Sequence, residues 1–166
     1  MVTPIPELPP ERVQPICDAA TYVPPGRLAV SAEGASLTTI VGSGLALCVW
    51  DPFHSVGGMA HFLLPEAGTA PAAPRYGDVA MKALVEELTR AGANPASLRA
   101  RVYGGSAPPI GSASGHIGDR NVAAALAFLK AHAIPVLERD IGGAGARKIL
   151  FSPRDGGTQV GRIGAS

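Results

Sequence analysis

His61 lies inside an apolar run, Met-Ala-His-Phe-Leu-Leu over residues 59–64, where an imidazole loses its hydration unless a partner replaces it. Such a ring either has its hydrogen bonds met within the core or acts as a general base for a nearby nucleophile. Taken alone, the core reading is the plainer one. Nucleophiles are few. Cys48 sits in the continuous apolar run Leu45 to Trp50, and the segment Gly42-Ser43-Gly44 does not match G-x-S-x-G, so no nucleophile elbow is encoded there. Cys48 is therefore expected as a buried core thiol. Of the other histidines, His54 reads as a solvated loop residue and His132 as a helix-end residue capping carbonyls, while His116, in a glycine-rich loop, stays ambiguous. None has metal-ligand spacing with carboxylates or thiols, and two cysteines alone cannot make a zinc site, so neither metal nor cofactor is expected. The glycine-rich stretches 104–118 and 142–147 match neither the dinucleotide fingerprint nor the Walker pattern.

The elements that must carry these residues follow from periodicity and punctuation. Arg27–Ser31 and Leu37–Val41 read as short strands, Leu45–Trp50 as a strand buried on both faces, and Met59–Leu64 as another, opened by Gly57-Gly58 and closed by Pro65. Asp78 can cap a helix that buries Met81, Leu84, Val85 and Leu88 and ends at Gly92. Leu98, Ala100 and Val102 alternate with Arg99, Arg101 and Tyr103, predicting a strand with one dry face and one wet. A second helix is predicted from Asp119, burying Val122, Ala125, Leu126 and Leu129 and stopping before Pro135. Strands follow at Ile134–Arg139, Lys148–Phe151 and Gln159–Ile163. Many strands with two helices predict an α+β domain. Prolines at 4, 6, 9, 10, 15, 24 and 25 set residues 1–26 apart as a loosely held extension, leaving 27–166 as the folded domain.

Composition narrows the partners. Hydrophobic residues make up 46% and charged residues 16%, with a net charge of +1, so nothing favours a nucleic acid or a charged membrane surface. No apolar run reaches the roughly 20 residues of a membrane span, and the proline-rich start has no signal-peptide core. A cytoplasmic protein with free thiols and no membrane insertion is expected.

Read in order, Thr38, GSGLALCVWDP (42–52), VGGMAHFLLP (56–65), YGDVAMKALVEEL (76–88), GGSA (104–107), IGDRN (117–121) and GGAGAR (142–147) form a combined pattern. That pattern resembles CheD, the family of chemoreceptor glutamine deamidases of bacterial and archaeal chemotaxis, from Arg27 to Ile163. The resemblance implies mixed sheets in a layered α/β sandwich with two main helices outside and a cysteine-hydrolase site. It also implies action on glutamines of chemoreceptor cytoplasmic helices and a partner phosphatase, CheC. In the family's mechanism a thiolate attacks the carboxamide, a histidine takes the thiol proton and returns it to the leaving ammonia, and water hydrolyses the thioester. By motif position the histidine carries over to His61 and the threonine that orients it to Thr38. The nucleophile does not: Gly44 stands where the family has cysteine. Ser43 is expected to point to the opposite face, and Cys48, about 13 Å along the strand from Gly44, is too far to replace it. The resemblance therefore leads to a deamidase with turnover lost or severely reduced, or to a CheD-like binding module that regulates chemoreceptors or CheC by occupancy. A small enzyme of unrelated chemistry built on His116 is the third reading.

Overall fold

The computed structural model describes residues 20–107 and 116–164. Within them the chain forms nine strands and two helices in chain order: β1 (Thr21–Tyr22), β2 (Arg27–Ser31), β3 (Leu37–Val41), β4 (Leu45–Asp51), β5 (Val56–Phe62), α1 (Gly77–Arg90), β6 (Arg99–Gly104), α2 (Ile117–Ala131), β7 (Val136–Ile141), β8 (Ala146–Phe151) and β9 (Thr158–Ile163). Five strands form one mixed sheet in the order β2-β5-β4-β6-β7, and four form a second in the order β1-β3-β8-β9. The result is the expected layered α+β architecture of mixed sheets.

The five-stranded sheet is the middle layer, which is why β4 reads as an unbroken apolar run: every residue of Leu45–Asp51 is buried. Its side chains alternate between two cores. Leu45, Leu47 and Val49 join Ala60, Phe62 and the α1 residues Met81, Leu84 and Leu88 beneath the helices. Ala46, Cys48 and Trp50 join Met59, Tyr103, Ile149 and Phe151 between the two sheets. Tyr103, expected on a wet face, is instead fully buried between the sheets, where its hydroxyl bonds Glu138 and Thr158. The second sheet covers that face, which periodicity within one strand does not reveal.

The last residues of the expected extension, 1–26, pack against the second sheet. Thr21 and Tyr22 pair in parallel with Leu37 and Thr38, and Val23 is buried in the inter-sheet core. The segment just before Pro24 therefore belongs to the folded domain; residues 1–19 lie outside those described. Helix α1 starts one residue before Asp78, without a side-chain cap on its N-cap residue Tyr76. Asp78 instead accepts from the Val79 and Ala67 amides at 2.9 and 3.2 Å.

Candidate active site

His61 projects from β5 into the space between the sheets and is 2% exposed. Its Nδ1 lies 2.9 Å from Thr39 Oγ1, and the Thr39 hydroxyl donates to the Val23 carbonyl at 2.7 Å. A hydroxyl has one proton. With that proton on Val23, Thr39 can only accept from the ring, so Nδ1 carries the hydrogen and Nε2 is left with its lone pair free. Burial pulls the imidazole down to about 4, with the Val23 carbonyl pulling weakly the other way, so the ring is neutral at pH 7.

The threonine on His61 is thus Thr39 and not Thr38. Leu37, Thr39 and Val41 are buried on the inner face of β3, while Thr38 and Ile40 alternate outward. Thr38 instead donates to the Ile149 carbonyl at 2.7 Å. The pleat offered the clue: Thr39 shares its parity with the apolar Leu37 and Val41.

Nε2 faces the position that motif order assigned to a nucleophile. A β-carbon built on Gly44 would stand 3.4 Å from His61 Nε2, but it would also stand 2.6 Å from the Phe62 carbonyl oxygen and 3.3 Å from Leu63 Cδ2. Gly44 is buried and its neighbour Ser43 is exposed. Cys48 is buried in the inter-sheet core, and burial raises its thiol far above the ordinary range. The core role expected for Cys48 holds.

Three of the sequence motifs assemble around residues 42–44. Gly105 and Ser106 donate their amides to the Gly44 and Gly42 carbonyls at 2.7 and 3.0 Å. Gly104, at φ +116°, is required there, because a β-carbon on it would lie 2.5 Å from the Gly44 carbonyl. Arg147, 1% exposed, ties this loop to residues 142–145 through the Gly104 and Gly142 carbonyls, Ser106 Oγ and the Asp140 carboxylate. Asn121, on α2, donates both protons of its amide, to the Ser43 carbonyl at 3.0 Å and the Leu63 carbonyl at 2.9 Å. None of Thr39, Asn121, Ser106 and Arg147 stood out in the sequence as a site residue. Asn121 had a signal, since it falls on the same helical stripe as Ala125 and Leu129.

A cleft of about 360 Å³ opens over Gly42 and Ser43, walled by Ser106, His116 and Gly145 among others. A larger one, about 580 Å³, lies between α1 and α2 beside Met81, Arg120 and Phe128 and shares no residue with the His61 site. His116 caps α2, its Nδ1 accepting from the Gly118 amide at 3.0 Å. His132 contacts the Phe128 carbonyl at 3.0 Å, as a helix-end residue should. His54 is exposed but not merely solvated: Nδ1 lies 2.7 Å from the buried Asp51 carboxylate. Among the described residues no cluster of ligands could hold a metal, and no helix is long and apolar enough to cross a membrane. The part of the glycine-rich loop from 108 to 115 lies outside the described residues.

A buried neutral imidazole, held at Nδ1 and open at Nε2 toward a fixed backbone position, has the arrangement that a general base requires. The CheD family, described as chemotactic sensory transduction, matches residues 63–162. A probable chemoreceptor glutamine deamidase CheD 1 of Anaeromyxobacter dehalogenans is 46% identical over 147 residues, covering 87% of this chain and 85% of that one. Probable chemoreceptor glutamine deamidases CheD of Bordetella petrii and Trichlorobacter lovleyi are 41% and 40% identical, covering 89% and 83% of this chain and 67% and 87% of theirs. The family match begins just past His61, but an alignment spanning 87% of the chain cannot leave out residues 38–61. The chain belongs to the CheD family.

Proposed function

We propose that this chain is a chemoreceptor glutamine deamidase in fold and site whose turnover, with glycine at position 44, is lost or severely reduced. The observation that carries this is the 3.4 Å between His61 Nε2 and the place of a β-carbon on Gly44: the base is set, and glycine gives it nothing to deprotonate. His61 and Thr39 would act as base and orienting hydroxyl, with residue 44 as the nucleophile's position. The substrate class is the glutamine side chain of chemoreceptor cytoplasmic helices, met in the cytoplasm. Removing a nucleophile leaves only the rate that orientation and oxyanion contacts supply. The test is incubation with receptor cytoplasmic helices followed by mass spectrometry for conversion of glutamine to glutamate. No conversion above the protein-free rate is expected, and robust turnover by the unaltered chain would overturn the proposal.

The second reading is a binding module that acts by occupying receptor helices or a CheC-type phosphatase. It is favoured by the rim, where Arg147 holds Ser106 Oγ and the Gly142 carbonyl beside an open cleft. Pull-down of receptor helices or CheC by the unaltered chain supports it, and the absence of enrichment of either removes it.

A further inference from the structure

The β4–β5 ladder runs from Asp51 opposite Val56 to Leu45 opposite Phe62 and stops there. Past that point the two chains turn to different partners. Gly44 and Gly42 give their carbonyls to the amides of Gly105 and Ser106, while Leu63 and Leu64 give their amides to the Arg75 carbonyl at 2.8 and 3.1 Å. Past the Leu45–Phe62 rung, no backbone bond among the described residues joins Gly44 itself to Phe62 or Leu63. The Asn121 amide fills that gap, with one proton on Ser43 and the other on Leu63.

We propose that Asn121 is a positioning residue that fixes the Gly44 backbone against the His61 imidazole by bridging the carbonyls on either side. This deepens the active-site reading and rests on it. Asn121 is fully buried, and both its protons are committed, so the amide cannot be turned round. Its Oδ1 is buried and without a hydrogen-bond partner among the described residues. A leucine would suit the stripe shared with Ala125 and Leu129 and would bury no orphan oxygen. What the asparagine adds is the pair of donors. An aspartate of the same shape would set acceptors against two carbonyls and push the walls apart.

The test is the NMR titration of His61 in the full chain, without substrate. In the unaltered chain the ring titrates at about 4 because it is dry. In Asn121→Leu the walls part and water reaches Nε2, so the titration is expected to rise by about one unit or more. Asn121→Ser, which keeps one donor, is expected to fall between, and it carries the test if the leucine variant does not fold. A residue that only held α2 to the sheet would change the melting temperature and leave the titration of the folded ring where it was. An unchanged His61 titration in either folded variant overturns the proposal. Because no receptor helix is present, failure of the deamidase reading is seen separately, in the conversion assay.

Discussion

Gly44 and Phe62 stand so close that a side chain at residue 44 would have to displace backbone, with 2.6 Å between the carbonyl oxygen of Phe62 and the place of a β-carbon on Gly44. The obstacle is backbone, so no rotamer change relieves it. The packing leaves a β-carbon at residue 44 little room, while the His61 imidazole lies 3.4 Å from the same place.

Gly44→Cys therefore has two expected effects of opposite kind. Displacing the Phe62 carbonyl should cost about 1–3 kcal/mol of stability, as overpacking commonly does, read by urea denaturation. The thiol that results should be activated by His61, giving alkylation at residue 44 at pH 7 roughly tenfold or more faster than in Gly44→Cys/His61→Ala. Equal rates in the two, measured by peptide mass spectrometry, would show that the imidazole does not serve this position.

The two adjacent threonines should separate cleanly. Thr39→Val leaves the His61 Nδ1–H and the Val23 carbonyl without their partner inside a dry core, a loss of about 1–3 kcal/mol. It also frees the ring to change tautomer. Thr38→Val forfeits one bond to the Ile149 carbonyl, worth about 0.5–1.5 kcal/mol, and should leave the His61 ring nitrogens unchanged. Nitrogen-15 shifts of His61 in the two variants distinguish these outcomes.

Acid should weaken the fold in a window set by His61. Its folded pKa of about 4 lies below the ordinary 6.5. Above 6.5 both folded and unfolded rings are neutral, and the core is at full strength. As pH falls from 6.5 to 4 the unfolded chain binds a proton that the folded one refuses, and stability drops by about 3 kcal/mol in all. Asp51 acts lower on the scale. Burial alone would raise its carboxyl, but the Asn94 amide, His54 and the Phe53 amide together hold it below 3.8, so its contribution is lost only beneath that value. Urea melts at pH 7, 5.5 and 4.5 should show the first slope, and His61→Asn should flatten it.

Much of this fold was legible because two-sided burial writes itself as an unbroken apolar run, as in Leu45–Trp50, and because helix faces keep their period, as in Met81, Leu84 and Leu88. His61 was legible as a polar residue in such a run. Motif order pointed to Thr38 while Thr39 touches the ring, because motif order places a residue along the chain but not on a face of the pleat. β1 escaped notice because two residues before a pair of prolines have no period, and their pairing with Leu37 and Thr38 is a tertiary fact. The closure of Phe62 on Gly44 depends on where two strands end and had no local signature.

The Val23 carbonyl has a consequence for where this protein can be shortened. A chain begun at Arg27 would keep the base, its hydroxyl and the glycine, yet lose the acceptor that claims the threonine's only hydrogen. That hydrogen would then be free to swing onto the ring, and the imidazole would turn its N–H toward residue 44. His61 and Thr39 would both be present in such a fragment, yet the ring would offer residue 44 a hydrogen where the longer chain offers a lone pair.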